Sequence, residues 1–171
     1  DRTTMKEDMR MSEIEILKKH TNNMRKNIIK MVTEAKSGHP GGSLSSVEMV
    51  AAIYFKEMNL TAENINSIER NRFVLSKGHA SPCLYAVLCE LGFIEEAELL
   101  SLRKIGSRLQ GHPCMRKLQG VDMSTGSLGQ GISTAVGMAI SNKYHNLPYR
   151  IFTLLGDGEC QEGQVWEAAM S

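Results

Sequence analysis

The sequence predicts an α/β domain built on an open parallel sheet flanked by helices. Two short apolar runs, Arg72–Ser76 and Ile151–Leu155, have the length and composition of buried strands. Helical stretches separate the two runs, which is typical of parallel strands covered by helices on both faces. Glycines follow each run at its carboxyl end, where ligands bind in sheets of this kind.

The first half of the chain carries two predicted helices before the first strand. Gly38 is predicted to end the first helix, because glycine accepts the left-handed conformation of many helix ends. Ser45 and Glu48 have the spacing of a capping box at the start of the second. The apolar stripe of the first helix steps by three and four residues and comprises Leu17, Thr21, Met24, Ile28, Met31 and Ala35.

Helices are also predicted around and after the two strands. Ser81 and Pro82 are a typical N-cap and first-turn pair for an apolar helix that Gly92 ends. Another helix is predicted over Glu95–Lys104. The chain between Gly106 and Ser127 has no periodicity, and loops of this length are often functional.

Two further helices flank the second strand. One runs through Ile132 and ends before Pro148. The other covers Gly163–Met170, and its predicted inward residues are Val165, Trp166 and Ala169.

Composition narrows the classes of function. The chain has 171 residues, enough for one domain with a core, and a formal net charge of +1, which gives no electrostatic case for a nucleic-acid or membrane partner. No apolar run is long enough to span a bilayer, and no targeting segment is expected. The four cysteines fit neither a CxxC pair nor a zinc template, which indicates a reduced, cytoplasmic protein.

Three of the five histidines, His39, His79 and His112, directly follow a glycine in predicted loops. A single loop histidine is more often a plain surface or hydrogen-bonding residue. A glycine before a polar side chain, however, lets backbone approach a ligand closely. Three histidines in the same context therefore favour a functional site.

Two glycine-rich stretches could hold a phosphate and a metal ion. Asp157 lies between glycines at the end of a strand, where a carboxylate suits Mg²⁺ or Ca²⁺ together with phosphate oxygens, although Asp-Gly is also a common turn pair. The stretch 126–131 leaves backbone N–H groups open at a helix start, but it matches neither the Rossmann fingerprint nor a P-loop. Glu159 and Glu162 suit either a helix N-terminus or additional metal ligation.

Read together, five stretches resemble the N-terminal, diphosphate-binding part of transketolase. They are SGHPGGSLS (37–45), FVLSKGHASPCLYAVL (73–88), QGHP (110–113), TGSLGQGIS (125–133) and GDGECQEGQVWEA (156–168). The resemblance implies a thiamine diphosphate-binding fold that is truncated at its C-terminal end. Residues 1–171 would form part of one diphosphate-binding domain, with 1–11 a disordered or non-native start and no pyrimidine-binding domain.

The resemblance also implies a reaction and its cofactors. Members of the family use thiamine diphosphate and Mg²⁺ or Ca²⁺ to move a two-carbon ketol unit from a ketose phosphate to an aldose phosphate, as in the pentose phosphate pathway. Asp157 would bind the metal, and His39 and His112 would contact substrate hydroxyls and move protons. The residues implied to contact the cofactor are His79, Gly126, Ser127, Leu128 and Gly158. Glu162 would lie in a subunit interface beside the cofactor.

In this family a second metal ligand is an asparagine further along the chain than Ser171. The pyrimidine-binding domain lies on the same chain or on a separate subunit, which implies a homodimer or a heterotetramer. We therefore expect the chain alone to be inactive. We also expect the loop from Gly106 to Leu128 to be mobile without cofactor, because phosphate and metal would be its main anchors.

Three alternatives remain open at this point. A related thiamine enzyme, either dihydroxyacetone synthase or deoxyxylulose-phosphate synthase, shares the Gly-Asp-Gly stretch. A zinc hydrolase could use His39, His79 and His112 as metal ligands. A scaffold or interaction subunit would fold and bind a partner without catalysing a reaction.

Overall fold

The computed structural model describes residues 2–58 and 60–171, and the side chains of residues 13–58 and 60–171. Its helices and strands are α1 (Arg2–Ala35), α2 (Pro40–Leu44), α3 (Val47–Ala52), β1 (Arg72–Leu75), α4 (Ser81–Glu90), α5 (Gln130–Tyr144), β2 (Ile151–Leu154) and α6 (Gly163–Met170). A π-helical turn, Ile53–Glu57, continues α3. The side chains of residues 1–11 are outside those described. The expectation that these residues are a disordered or non-native start stays a prediction.

The two predicted strands form a parallel pair. Arg72 lies opposite Ile151, and Leu75 lies opposite Leu154. Both strands end one residue earlier than predicted, so their carboxyl ends lie side by side. β1 is buried beyond its first residue, whereas β2 is half-buried until Leu154.

The predicted stripe of α1 faces the main core. Met24, Ile28 and Met31 are fully buried there. The helix packs on α3 and α4. α4 is apolar on all sides and is buried from Ser81 to Leu88, as expected of a helix inside a core.

Helices cover both faces of the sheet. Phe73 and Leu75 of β1 join the core cluster formed with α1, α3 and α4. Val74 is also fully buried, and it points to the opposite face because side chains alternate along a strand. On the second side α5 packs against both strands and against α6. The predicted fold class is therefore confirmed.

The predicted capping box at the start of the second helix is wrong. Ser46, not Ser45, precedes α3. The Ser45 hydroxyl instead donates to the Gly42 carbonyl, and the Glu48 carboxylate binds Arg25 of α1. A short helix, α2, occupies the preceding loop and uses the nearby serine hydroxyls for its own turn.

Three other helix ends also differ from the prediction. α1 ends at Ala35 with Lys36 in the left-handed region (φ 47°), before Gly38 is reached. Ser81 is the first residue of α4 and not its N-cap, because its hydroxyl donates to the Gly111 carbonyl at 2.8 Å. The helix predicted over 95–104 is shorter at both ends and is a 3₁₀ helix, Glu96–Ser101.

The inward face of α6 consists of Val165 and Ala168, which lie one helical turn apart. Trp166 is 60% exposed and Ala169 is exposed, so both were wrongly predicted as inward residues. The Trp166 indole N–H donates to the Cys160 carbonyl at 2.9 Å. The helix thus turns its only tryptophan away from the core and towards the preceding loop.

The long loop has no helix or strand, as predicted, but protein contacts hold it. Leu109 and Leu118 are buried in the main core. The Tyr85 hydroxyl donates to the Gln110 carbonyl at 2.7 Å. The Thr125 hydroxyl donates to the Leu75 carbonyl at 2.7 Å. These contacts remove the reason for expecting phosphate and metal to be the main anchors, and the mobility itself stays a prediction.

The four cysteines are free, and Cys83 is buried within α4. Within the part of the chain that the structure describes, no helix has the length and apolar character needed to cross a membrane.

Candidate active site

A cavity of about 660 Å³ opens at the carboxyl ends of the two strands. This is the edge of a parallel sheet where ligands bind. The walls come from α2 and its C-terminal end, from α3, from the segment after β1, from the segment before α5 and from the turn after β2. The lining residues are Gly41, Gly42, Ser45, Met49, Lys77, His79, Leu128, Leu155, Gly156, Asp157, Gly158 and Glu159.

Asp157 lies in this cavity just beyond β2. Its side chain is exposed and makes no hydrogen bond or ion pair with any side chain or backbone group in the described segments. The following Gly158 begins a 3₁₀ turn, Gly158–Gln161, and has open space where a β-carbon would lie. A free carboxylate next to open backbone can bind a hard cation and its anionic partner.

His79 also lines the cavity, in the 3₁₀ turn that follows β1. A β-carbon at Gly42 would lie 3.1 Å from the His79 ring, so the two loops meet closely. Burial lowers the pKa of His79, and the charges of His39 and Lys77 lower it further. The ring is therefore neutral near pH 7, with one nitrogen as donor and the other as acceptor.

His39 and His112 border the cavity without lining it. The His39 and His79 ring centroids are 5.2 Å apart, in an edge-to-face arrangement. A β-carbon at Gly126 would lie 3.1 Å from the His112 ring. Burial lowers the pKa of His112, as do the charges of Arg103 and His39. The structure thus brings the three histidines to one region, as their shared Gly-His context predicted.

The three histidines do not form a metal site. Among the residues described, no three His, Cys, Asp or Glu side chains are placed to hold a metal ion together. The described geometry therefore gives the zinc-hydrolase alternative no support. Among the described residues, a metal ion at Asp157 would have a single carboxylate ligand. It would need further oxygen ligands, such as phosphate oxygens.

The loop before α5 is divided between two pockets. Leu128 lines the main cavity, whereas Gly126 and Ser127 line a neighbouring pocket of about 230 Å³. Glu162 is exposed and lines neither of the two pockets. It lies beside Gly129, where an added β-carbon would be 3.0 Å from the Glu162 Cβ. Of the predicted cofactor contacts, the structure brings His79, Leu128, Asp157 and Gly158 into one cavity.

Glu159 is a buried positioning residue that the sequence did not separate from its acidic neighbours. It is 2% exposed. Its Oε1 accepts the Ser76 hydroxyl at 2.5 Å and the Gly129 N–H at 2.9 Å. Its Oε2 accepts the Gly156 N–H at 2.8 Å. One carboxylate therefore ties together the ends of both strands and the start of α5, and its oxygens are not free for a metal.

Lys77 is a second residue that sequence reasoning missed. It directly follows Ser76, its exposure is 6%, and its side chain lines the cavity. Its position between a strand and a Gly-His pair was the available signal. Together, a free carboxylate, open glycine backbone, a neutral histidine and a buried ammonium fit a phosphate-bearing ligand that binds with a divalent cation.

The fold and the site define an α/β domain with a cofactor-sized cavity at the carboxyl edge of a parallel sheet. Residues 16–171 match the family described as transketolase, thiamine diphosphate binding domain. The chain thus belongs to the transketolase family, in its thiamine diphosphate-binding domain.

Individual relatives agree with this assignment. The chain is 48% identical to human transketolase. The matched region covers 91% of this chain and 25% of the human protein. The chain is 47% identical to the 6-deoxy-6-sulfo-D-fructose transketolase subunit of Clostridium sp. (strain MSTE9), over 94% of this chain and 58% of that one. The chain thus spans about a quarter of the curated human enzyme and just over half of the clostridial subunit.

Solved structures share the fold. A crystal structure of a transketolase variant from Pichia stipitis has a TM-score of 0.85 and 33% identity, covering 91% of this chain and 24% of that one. Transketolase from Leishmania mexicana has a TM-score of 0.80 and 32% identity. The match covers 89% of this chain and 24% of that one.

Proposed function

We propose that this chain supplies the diphosphate- and metal-binding half of a transketolase. The enzyme would move a two-carbon ketol unit from a ketose phosphate to an aldose phosphate, as in the pentose phosphate pathway. One observation carries the proposal. In a chain of this family, the cavity at the strand ends contains Asp157, which has no partner among the described groups, together with His79, Leu128 and Gly158.

In this proposal Asp157 would hold Mg²⁺ or Ca²⁺, which would supply positive charge for the diphosphate. The backbone of Gly158 and of residues 126–128 would lie against the cofactor, because glycine allows close approach. His79, neutral near pH 7 because its pKa is lowered, donates a hydrogen bond towards the diphosphate. Glu159 holds the ends of the strands in place around these groups.

Thiamine diphosphate, when bound, supplies the nucleophilic carbon that takes up the ketol unit. His39 and His112 act on the sugar. They bind its hydroxyl groups at the mouth of the cavity and move protons to and from them. The lowered pKa of His112 leaves that ring unprotonated near neutral pH, so it can accept a hydroxyl proton.

The reaction also needs a pyrimidine-binding domain, which we propose is carried either further along one chain or on a separate subunit. The similarity to human transketolase supports the first arrangement, and the similarity to a protein named as a subunit supports the second. Either gives an assembly of two or more chains, a homodimer or a heterotetramer. Exposed Glu162 would lie in its interface. Four free cysteines support a reducing, cytoplasmic location.

A second candidate concerns the sugar. The clostridial relative is named for 6-deoxy-6-sulfo-D-fructose, and its 47% identity makes a sulfonated ketose a candidate donor for this protein too. Ketol-transfer assays that offer a ketose phosphate and the sulfonated ketose side by side separate the two donors. The choice of acceptor in the same assays separates transketolase from dihydroxyacetone synthase and deoxyxylulose-phosphate synthase.

The deciding experiment is a thiamine diphosphate titration with Mg²⁺, using the protein together with its pyrimidine-binding domain. We expect Asp157→Asn to weaken metal-dependent binding about tenfold or more, because a charged metal ligand is lost. Glu167→Gln, at an exposed acid outside the cavity, is the matched control and should bind as the unmodified protein does. No binding by the unmodified protein would overturn the proposal.

The chain without its partner domain is expected to show no ketol transfer. Measurable transfer by purified residues 1–171 would contradict the proposed division of the active site. A complete protein that binds the cofactor but transfers no ketol unit from any offered sugar would support the scaffold alternative.

A further inference from the structure

A polar pocket of about 260 Å³ lies between α1 and the C-terminal end of α4, and we call it the α1–α4 pocket. Its lining residues are Asn23, Lys26, Asn27, Lys30, Glu90 and Glu96. The first four are spaced by three and four residues, so they share one face of α1. The two acids come from the last turn of α4 and from the start of the following 3₁₀ helix. The pocket shares no lining residue with the cavity at the strand ends.

Asn27 gives the α1–α4 pocket an amide without a partner. The residue is 6% exposed and directly precedes the fully buried Ile28. Its side chain makes no hydrogen bond to any group in the segments that the structure describes. Buried polar side chains nearly always have a partner, and an asparagine amide offers one acceptor oxygen and two N–H donors. Asn27 therefore presents unused hydrogen-bonding groups to the pocket.

Glu90 gives the pocket a carboxylate without a permanent cation. The side chain is 13% exposed. Its Oε2 lies 2.8 Å from the His20 Nδ1 and accepts from the Asn23 amide at 3.4 Å. No lysine or arginine side chain of the described segments lies within ion-pair distance of it. Glu90 is also the last residue of α4, where the helix dipole disfavours an acid and favours a cation.

Lys26 supplies the opposite charge. It is exposed, and it forms no ion pair with any carboxylate among the side chains described. Lys30, one turn further along α1, differs because it is paired with Glu96 at 2.8 Å. The α1–α4 pocket thus combines a carboxylate, an ammonium group and a buried amide that are available to one ligand.

We propose that the α1–α4 pocket binds a free α-amino acid. The ammonium group of the ligand pairs with Glu90, its carboxylate pairs with Lys26, and Asn27 supplies a hydrogen bond. A simple anion would leave Glu90 without a cation, and a simple amine would leave Lys26 without an anion. Pockets for drug-sized ligands begin near about 300 Å³, so the volume suits a smaller metabolite. The inference is independent of the proposed function, because it uses no residue of the catalytic cavity.

Isothermal titration of the complete protein with L-alanine, L-glutamine and L-methionine, each up to about 10 mM, tests the inference. Each amino acid is compared with the amine that lacks its carboxylate and with the acid that lacks its ammonium group. For alanine these are ethylamine and propionate. Ribose 5-phosphate serves as an anionic ligand without an ammonium group. We expect at least one amino acid to bind, and the compounds with a single charge to bind at least about tenfold more weakly.

The variants remove one group of the pocket at a time. Asn27→Leu, Glu90→Gln and Lys26→Met should each weaken amino acid binding about tenfold or more, the range for a lost hydrogen bond to a charged group. Asn22→Leu and Lys19→Met make the same chemical changes at exposed positions of α1, and they should bind as the unmodified protein does.

The unfolding midpoint without amino acid separates a ligand from a structural residue. Asn27→Leu should not lower it, because the substitution replaces a buried amide without a partner by an apolar group. A lower midpoint for Asn27→Leu would show that the amide supports the fold and would overturn its assignment as a ligand.

Three binding results would overturn the proposal. The first is that none of the three amino acids binds. The second is that the single-charge compounds bind as tightly as the amino acid, or that all three substitutions leave its binding intact. The third is that ribose 5-phosphate alone binds and Lys26→Met weakens it, which would assign the pocket to a sugar phosphate. The proposed function would survive each result, because its test is thiamine diphosphate binding in the other cavity.

Discussion

Asp157 and Glu159 are separated by a single residue, yet the fold gives them opposite environments. Asp157 is exposed at the cavity with no partner among the described groups. Glu159 is 2% exposed and accepts three hydrogen bonds. The turn after β2 points one carboxylate towards the cavity and the other into the protein. Acids that are close in a sequence can therefore lie in entirely different environments.

Glu159→Gln is expected to destabilise the protein by about 1–3 kcal/mol, the cost of leaving a buried polar group unsatisfied. An amide has one acceptor oxygen, so at least one of the donors from Ser76, Gly129 and Gly156 would face an NH₂ group. Denaturant unfolding of the protein measures the loss. Glu167→Gln, at an exposed position, is the control. Equal stability of the two variants would show that Glu159 does not hold the strand ends.

At the residue scale, the sequence predicted those site residues that can be recognised from their immediate sequence neighbours. The Gly-His pairs and the Gly-Asp-Gly stretch are visible in a few adjacent letters, and the structure brings His79, Leu128, Asp157 and Gly158 into one cavity. Lys77 donates to the Gly42 carbonyl, 35 residues away. The role of Glu159 depends on Ser76, 83 residues away. Such contacts have no signature in a short pattern.

The long loop and β1 are joined by a buried charged cluster around Asp122. The Arg70 guanidinium donates to both carboxylate oxygens, at 2.5 and 3.2 Å, and the Phe73 N–H donates to Oδ2 at 2.8 Å. The side chains of Arg70 and Asp122 are only 6% and 3% exposed. This contact fixes the end of the loop against the start of the strand.

Asp122→Asn is expected to lower the free energy of unfolding by about 3–5 kcal/mol, because Arg70 would keep a buried charge without its partner. Chemical denaturation of the variant measures the effect. Glu98→Gln is the comparison, since its pair with Arg108 lies at the surface and should contribute about 1 kcal/mol or less. Similar losses in the two variants would contradict a special role for the buried cluster.

At the element scale, the two strands, the longer helices and their order were predictable, whereas the short helix α2 and several helix ends were not. The stripe from Thr21 to Met31 follows from its periodicity. The two strands follow from the length and apolar composition of their runs. The errors at Ser45 and Ser81 have one cause: each hydroxyl bonds a carbonyl outside the cap that its spacing suggested. Trp166 is exposed because α6 needs only Val165 and Ala168 to pack against its neighbour.

The domain as a whole combines an anchored loop with a site that lies partly within that loop. Segment 109–122 is held by buried leucines, by Tyr85 and by the Asp122 cluster. Residues 125–129 run between the two pockets and Glu159. These two parts of the loop should therefore respond differently to a ligand.

Hydrogen exchange of the protein should show this difference. We expect slow exchange over residues 109–122 with or without thiamine diphosphate, because these residues are anchored by protein contacts. Residues 125–129 should gain protection when cofactor and Mg²⁺ are added. The segment 13–35 of α1, which packs in the core away from the cavity, serves as an internal reference. Fast exchange over 109–122 without cofactor would restore the mobile loop that the sequence predicted.

Trp166 gives the chain an optical property that no other residue duplicates. It is the only tryptophan in the sequence, and the residue is 60% exposed. Its N–H bonds the Cys160 carbonyl, in the same short turn that begins beside Asp157. A change in that turn alters the polarity around the indole, so the emission spectrum of this domain carries a built-in signal from the neighbourhood of its cavity.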